Sequence, residues 1–251
     1  MEVRMKSFAV YSMKGGVGKT TAAVNVAYLA AELGCRTVLW DLDPQGSATF
    51  YLSLKPRLKS GTGKLVKGKT SIADSVTPTG YDNLDAVPSD FRIRNLDLRL
   101  DAAKKPTTRL AAMLGDLADG YELAVLDCPP SISLVSENVV RAADCVVVPL
   151  IPSTLSVQSF ATLRDHLAAE GIPAERLIPF FSMVDGRKRL HRTILQETLV
   201  EDTSFCRTYI PYLSTIEKMG THRAPVPCFA GTSRATRAFR DLWREIASRI
   251  A

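Results

Sequence analysis

Short apolar runs alternate with longer amphipathic segments along the chain. The runs predict strands at residues 8–12, 37–40, 84–87, 123–126, 145–149 and 178–181. The longer segments predict helices over residues 20–33, 107–117, 136–142, 157–170, 192–200 and 234–250. Residues 45–80 follow neither pattern and are predicted to be mainly loop. Because strands that alternate with helices indicate βαβ units, we expect an α/β fold with a mostly parallel sheet and helices on both faces.

The composition is that of a folded globular protein. The chain has 251 residues, of which 46% are apolar and 23% charged. It contains no Pro- or Ser-rich linker, so we expect a single domain over residues 1–251. It contains neither an apolar run long enough to span a membrane nor a signal-peptide pattern at its start. Five widely spaced cysteines without a CxxC pair argue against a disulfide framework or a zinc site and favour a cytoplasmic location.

A glycine-rich segment, KGGVGKTT, lies between the first predicted strand and the first predicted helix. Glycines let the backbone curl and aim its N–H groups at phosphate oxygens, and the helix start adds the positive end of its dipole. Lys19 can contact the β- and γ-phosphates of a nucleotide, and the Thr20 hydroxyl can bind Mg²⁺. The segment therefore predicts a P-loop NTPase fold. The predicted nucleotide-binding residues are Lys14, Gly15, Gly16, Val17, Gly18, Lys19, Thr20 and Thr21.

The segment departs from the usual pattern G-x-x-x-x-G-K-[ST]. Met13 stands where the first glycine is expected, and a second lysine, Lys14, follows it. This variant resembles the phosphate loop of the ParA/MinD family of ATPases. Residues 41–49, DLDPQGSAT, resemble the second motif of that family, and residues 126–130, LDCPP, resemble its Walker B segment. The resemblance spans nearly the whole chain and implies that the cofactors are ATP and Mg²⁺.

Three aspartates follow predicted strands. Asp127 ends an apolar run, and in P-loop enzymes such an aspartate holds Mg²⁺, usually through water. The resemblance implies that Asp43 orients or activates the attacking water and joins Thr20 at the metal site. Asp41 is expected to support Asp43 or to contact the magnesium shell. Alternatively, Asp41 and Asp43 only shape the turn before Pro44.

Lys14 carries the most informative part of the resemblance. In the ParA/MinD family the signature lysine reaches across a dimer interface to the partner's nucleotide, so the expected catalytic residues are Lys14, Lys19 and Asp43. ATP would then lie between two subunits, and its binding would favour the dimer. The alternative is that Lys14 is an ordinary solvated loop lysine. Met183 and Pro211 occupy places where the family lines the adenine.

Positive charge is unevenly distributed along the chain. The net charge is +6, and residues 185–251 carry 12 Lys/Arg against 7 Asp/Glu. Residues 51–72 carry six Lys/Arg and no acid. Such asymmetry indicates either a polyanionic partner or a solvated surface. The resemblance favours DNA bound without sequence preference, for which the candidate residues are Arg187, Lys188, Arg189, Arg192, Lys218 and Arg223, with Arg234, Arg237 and Arg240 in addition.

The resemblance implies a ParA-like ATPase that dimerises on ATP and binds nonspecific DNA in the nucleoid. Such a protein segregates or positions a plasmid, a chromosome origin or a protein assembly such as a carboxysome, and a ParB-like adaptor stimulates its ATPase. A MinD-like ATPase of division-site placement is one alternative, because the basic helix predicted over residues 234–250 could lie on a membrane. Packing of that helix on the sheet is favoured, so no membrane partner is expected. A metabolic P-loop ATPase is the other alternative.

Cys128 and Cys145 are expected to be buried thiols rather than ligands of a metal cluster.

Overall fold

The six predicted strands and a seventh that was not predicted form one sheet in the computed structural model, which describes residues 4–59, 61–102, 108–130 and 133–250. The strands are β1 (Lys6–Val10), β2 (Thr37–Asp41), β3 (Thr77–Tyr81), β4 (Leu84–Val87), β5 (Leu123–Asp127), β6 (Cys145–Leu150) and β7 (Leu177–Phe181). Their order is β3-β4-β2-β5-β1-β6-β7. The edge strand β3 runs antiparallel to β4, and the other neighbouring pairs are parallel.

Helices cover both faces of this sheet. They are α1 (Lys19–Glu32), α2 (Ser47–Tyr51), α3 (Thr62–Val66), α4 (Leu96–Asp101), α5 (Arg109–Gly115), α6 (Leu134–Ala142), α7 (Thr154–Ala169), α8 (Arg189–Glu201), α9 (Ser214–Glu217), α10 (Met219–His222), α11 (Val226–Ala230) and α12 (Arg234–Ile250). One apolar layer joins the sheet to α3 through α8. A second layer joins the other face to α1, α2 and α10 through α12. The structure therefore confirms the expected α/β class, with a mostly parallel sheet covered on both faces.

The register of the parallel strands brings distant segments to one edge of the sheet. Val10 lies opposite Asp127 in the pair of β1 and β5, and Asp41 lies opposite Asp127 in the pair of β2 and β5. Because β1 leads directly into the glycine-rich segment, that segment and both aspartates meet at the carboxyl edge. Parallel α/β sheets bind their ligands at this edge.

Several elements differ from the prediction at their boundaries, among them the first strand and the helix predicted over residues 107–117. The strand covers Lys6–Val10 rather than residues 8–12, because Tyr11 already belongs to the loop that leads to the glycine-rich segment. The helix predicted over residues 107–117 is observed as Arg109–Gly115, and residue 107 lies outside the described residues.

The interpretation of residues 45–80 as mainly loop is wrong in part, because α2, α3 and β3 lie within them. The two helices have five residues each, which is too short to show a helical period. Strand β3 contains Pro78 and Gly80, which are depleted in strands but tolerated at the edge of a sheet. None of these three elements therefore has a pattern that could have predicted it.

The C-terminal helix packs its apolar face against the sheet and does not expose it to solvent. Phe239, Leu242 and Ile246 of α12 are each at most 1% exposed and belong to the apolar layer that also contains α1. This confirms the expectation that the helix is part of the core. Among the described residues, no helix is long and apolar enough to cross a membrane.

Truncation of the buried Phe239 side chain of α12 is expected to destabilise the whole fold. Phe239→Ala removes a buried ring and leaves a cavity, so the free energy of unfolding should fall by about 3–5 kcal/mol. Urea unfolding followed by circular dichroism measures this loss. Arg237→Ala on the exposed side of the same helix is the control and should change it by less than about 0.5 kcal/mol. Equal stability of the two variants would contradict the packing of α12.

Candidate active site

The phosphate loop follows β1 and ends at the first turn of α1. Gly18 precedes α1 with a φ of 88°, a left-handed conformation that favours glycine. A Cβ atom there would lie 2.8 Å from Ser182 Oγ, so a side chain would push the loop away from the strand end after β7. Among the described residues, no side chain caps the start of α1 and no acid lies in its first turn. The backbone N–H groups of that turn are therefore available to a phosphate.

Lys19 places a cation inside this loop. The residue is only 6% exposed, and its Nζ donates to the carbonyl oxygen of Lys14 at 3.2 Å. Burial lowers the pKa of the ammonium group, whereas the nearby carboxylates of Asp127 and Asp43 raise it. The ammonium group thus lies between the loop backbone and the carboxylates, where the β- and γ-phosphates of a nucleotide are held in P-loop proteins.

Asp127 is a fully buried carboxylate at the end of β5. Neither of its oxygens accepts a hydrogen bond from a described residue. Burial raises the pKa of this carboxyl well above its usual value, and the charge of Asp41 adds to the effect. The Thr20 hydroxyl and the Lys19 ammonium lower it in part. An unpartnered buried carboxylate beside a hydroxyl supplies the oxygen ligands that Mg²⁺ prefers, so these residues fit a magnesium ion.

Asp41 supports the segment that follows β2. Its carboxylate accepts hydrogen bonds from the backbone N–H and the hydroxyl of Thr49, at 2.8 and 2.7 Å, and from the N–H of Asp43 at 3.2 Å. Burial raises the pKa of Asp41 to about 6. Because all these bonds stay within residues 41–49, Asp41 shapes this segment, which both the supporting role and the turn-forming alternative expect. Its role at the site stays a prediction.

Asp43 is more exposed than Asp41, and its carboxylate accepts the N–H of Gln45 at 2.9 Å. Ser89 fixes the backbone of this turn, because its hydroxyl donates to the carbonyl oxygen of Asp43 at 2.6 Å. The Ser89 N–H also donates to the hydroxyl of Thr49 at 2.7 Å. No role was predicted for Ser89, since it acts through contacts with a distant segment of the chain. Thr49, for which no role was predicted either, also bonds to Asp41 within its own segment.

Lys14 lies at the outer side of the loop and binds to its own chain. Its Nζ donates to the carbonyl oxygen of Leu155, in the first turn of α7, at 2.9 Å. The helix predicted over residues 157–170 begins three residues earlier than expected, at Thr154, because the Ser153 hydroxyl caps it by accepting the N–H of Ser156 at 3.3 Å. This earlier start is what places Leu155 within reach of Lys14.

Met183 and Pro211 meet beside the phosphate loop, although they are far apart in the sequence. Val184 donates to the carbonyl oxygen of Ile210 at 3.0 Å, and the N–H of Tyr212 donates back to Val184 at 3.0 Å. The resulting cavity is lined by Gly18, Thr21, Ser182, Met183, Pro211 and Tyr212. A mostly apolar cavity next to the start of α1 suits the base of a nucleotide whose phosphates lie on the loop.

The six predicted DNA-binding residues divide into two groups. Four of them surround the start of α8, which begins at Arg189 rather than at residue 192. Arg187 forms two bonds to the carboxylate of Asp185, at 2.9 and 2.8 Å, and Arg192 donates to the carbonyl oxygen of Gly186 at 2.6 Å. Lys188 and Arg189 are exposed beside them.

The other two residues lie nearer to α2. Lys218 separates α9 from α10, and the guanidinium of Arg223 stacks 4.7 Å from the ring centre of Phe50 in α2. The structure thus gathers four of the six cations at one helix start. Their role in DNA binding stays a prediction.

Cys128 and Cys145 are buried, at 1% and 5% exposure, as expected. Burial raises the pKa of both thiols, so they are protonated and unreactive at neutral pH.

Comparison with known proteins agrees with this geometry. Residues 5–169 match the family model described as an AAA domain. The chain is 31% identical to the chromosome-partitioning ATPase Soj of Thermus thermophilus, over 100% of this chain and 98% of the relative. The fold and the phosphate loop define a P-loop ATPase. Within that class the chain belongs to the ParA/MinD family.

Two solved structures share the fold at lower identity. A putative plasmid partition protein of Borrelia burgdorferi, bound to AMPPNP, has a TM-score of 0.83 and 21% identity over 98% of this chain and 100% of that one. Cobyrinic acid a,c-diamide synthase of Mycobacterium smegmatis, with a bound ATP analog and magnesium, has a TM-score of 0.79 and 23% identity over 97% and 94%. Both similarities establish the P-loop fold and do not by themselves choose between the activities of the two proteins.

The buried charge of Asp127 is expected to cost stability in the absence of a cation. Because its pKa is raised in the folded state, the free energy of unfolding should fall as the pH rises above the carboxyl's usual value of 3.8. Asp127→Asn removes the charge, so at about pH 8 without Mg²⁺ it should stabilise the protein by about 1–3 kcal/mol. Urea unfolding at about pH 5 and pH 8 measures both effects.

The exposed carboxylate of Asp119 provides the control, since Asp119→Asn should leave the pH dependence unchanged. A loss of stability in Asp127→Asn at the higher pH would show that the carboxylate has a partner in the protein.

His191 should make the loop between β7 and α8 sensitive to acid. Its Nδ1 accepts the N–H of Asp185 at 3.1 Å, and burial lowers its pKa from 6.5, with Lys188 adding to the effect. Stability is therefore present above about pH 6.5 and lost as the pH falls. The free energy of unfolding should drop by about 1 kcal/mol between pH 7.5 and pH 5.5, the worth of one hydrogen bond.

Urea unfolding at the two pH values tests the effect, which His191→Phe should remove and His166→Gln, at an exposed site, should retain. An unchanged pH dependence in His191→Phe would assign the effect to another group.

Proposed function

We propose that the chain is a ParA-like ATPase, with residues 1–251 forming one nucleotide-binding domain. It binds ATP and Mg²⁺, forms a homodimer around two ATP molecules, binds nonspecific DNA and positions a cargo. It acts in the cytoplasm on the nucleoid, where a ParB-like adaptor stimulates hydrolysis. The Soj relative named above is a chromosome-partitioning ATPase, which supports this class of role.

The position of Lys14 carries the proposal. Lys14 belongs to the phosphate loop, and its ammonium group donates to the neutral carbonyl of Leu155 in α7. Among the described residues, no carboxylate forms an ion pair with it. An anion from outside its own chain would have to replace only this neutral acceptor, because the half-buried cation has no counter-charge among the described residues. A nucleotide held by a second subunit is such an anion.

The residues around the loop have different roles in ATP hydrolysis. The N–H groups of residues 15–20 and the Lys19 ammonium hold the phosphates, and Thr20 and Asp127 would hold Mg²⁺. Magnesium neutralises charge on the β- and γ-phosphates when bound. Asp43 orients the attacking water and accepts its proton. Lys14 of the second subunit stabilises the charge that develops on the transferred phosphoryl group.

DNA binding follows from the cations at the start of α8. Lysine and arginine side chains that contact phosphates release counterions, so affinity does not depend on sequence and falls with salt. Lys188 and Arg189 are exposed there, and Arg187 and Arg192 lie beside them. Dimerisation doubles this charge, so that DNA affinity rises when ATP binds.

Loss of the Lys14 charge tests the proposal. With ATP and Mg²⁺ the wild-type protein should sediment as a dimer, and its turnover per subunit should fall on dilution. Lys14→Gln should stay monomeric, lose ATP-dependent DNA binding in a fluorescence anisotropy assay and hydrolyse ATP roughly 100-fold more slowly. Its affinity for a fluorescent ATP analogue should change little, because Lys19 and the loop remain.

Lys55→Gln is a matched control, since it removes one exposed positive charge far from the loop in the sequence. It should behave as the wild type. Normal dimerisation and turnover in Lys14→Gln would contradict the proposal. Wild-type turnover that depends on neither protein concentration nor DNA would favour a metabolic ATPase.

A further inference from the structure

A cluster of positive charge surrounds α3, away from the start of α8. It consists of Lys64, Lys67, Lys69, Arg99 and Arg109, which we call the α3 surface. The three lysines and Arg99 are exposed, and Arg109 is half-buried. None of the five forms an ion pair with a described residue. Their charge is therefore not neutralised within the described part of the chain.

Seven arginines elsewhere in the described chain form ion pairs. Arg240 pairs with Glu32, and Arg244 pairs with Asp241 on α12. Arg141 pairs with carboxylates of both α6 and α7. Even at the start of α8, the guanidinium of Arg187 is held by Asp185. The five cations of the α3 surface have no such partner among the described residues.

Two arginines of this surface lie close to the backbone of the α3 segment. A Cβ atom at Gly63 would lie 2.5 Å from Nη1 of Arg99, and one at Gly68 would lie 3.0 Å from Nη2 of Arg109. Each guanidinium therefore lies directly on the α3 segment, one towards each end. The Nε of Arg109 is buried and has no hydrogen-bond partner in the described chain. The guanidinium groups of Arg99 and Arg109 therefore lie beside the backbone of the α3 segment.

Grooves run along both sides of α3. One contains Lys67 and Arg99, and the other contains Lys69 and Arg109. The second groove also contains the carboxylate of Asp116, which accepts the Ser71 hydroxyl at 2.9 Å. An anion in the first groove would meet Lys67 and Arg99, and one in the second would meet Lys69 and Arg109 with Asp116 beside them.

The α3 surface is separate from the candidate cations at the start of α8. Helix α4 contacts both α3 and α6. An ion pair joins α6 to the end of α7, and another joins α7 to the residue after α8. Helices α6 and α7 therefore lie between the two basic regions.

We propose that the α3 surface is a second contact site for the sugar-phosphate backbone of duplex DNA, and this rests on the proposed DNA-binding function. Cations on both sides of a helix match a ligand whose charge extends along its length, and duplex DNA carries one charge per about 1.7 Å. Among the described residues of the two grooves, Leu98 is the one large apolar side chain that is exposed, and no aromatic ring lines them. A protein partner normally requires apolar or aromatic anchors, and single-stranded nucleic acid requires aromatic platforms.

The test is the salt dependence of DNA affinity, measured by fluorescence anisotropy with a labelled duplex, ATP and Mg²⁺. The triple variant Lys64→Gln, Lys67→Gln and Lys69→Gln removes three exposed charges. It should lower the slope of log K against log salt by about 2–3 between about 50 and 200 mM salt. The conservative triple Lys→Arg variant at the same positions should retain the wild-type slope.

A charge-matched control separates a local contact from a change in net charge. Arg4→Gln, Lys6→Gln and Arg36→Gln together remove three charges at the amino ends of β1 and β2, and this variant should retain the wild-type slope. Thermal unfolding of each variant verifies that it is folded.

The outcomes separate this inference from the proposed function. If the α3 variant and the charge-matched control have the same slope while the wild type binds DNA, the α3 inference is overturned alone. If the wild type fails to bind DNA at all, both are overturned. If the α3 variant loses binding to labelled poly-glutamate but retains the wild-type slope for DNA, the surface serves an acidic protein and the inference is wrong.

Discussion

The buried carboxylate of Asp127 is the constraint on which the site depends. Neither of its oxygens is hydrogen-bonded in the described chain, and burial raises its pKa. Such a charge is tolerated only where a cation can approach it, and Lys19 is the cation that the loop supplies. Because β1, β2 and β5 are in register, the strand ends that bury Asp127 also place the phosphate loop and Asp41 around it. The register of these three strands therefore determines both the packing of the sheet and the positions of the site residues.

The phosphate loop could be predicted from the sequence because its chemistry is local. A few consecutive residues supply the glycines, the cation and the hydroxyl, and an apolar strand precedes them. Asp127 could be predicted for the same reason, since it ends an apolar run. Met183 and Pro211 required the resemblance to a family, because the backbone bonds between Val184 and Ile210 that join them are not visible in the sequence.

Other features could not be predicted because they depend on contacts between distant residues. Strand β3 and helix α3 are too short or too polar to show a periodic pattern of hydrophobic residues. The support of the turn after β2 by Ser89 is likewise formed only when β4 lies beside β2. The sequence also does not show which charged side chains form ion pairs. Arg187 and Lys67 contribute equally to the net charge, but Arg187 faces a carboxylate and Lys67 does not.

The two proposed anion sites differ in their surroundings, and this decides how each responds to salt. Lys19 is buried beside carboxylates, and Lys14 is half-buried, so mobile ions screen them weakly. The lysines of the α3 surface are exposed, so dissolved ions compete with a phosphate for them directly. Both sites are proposed to bind phosphate, and a rise in ionic strength weakens exposed contacts first. Salt should therefore act more strongly on the proposed DNA contacts than on the proposed nucleotide contacts.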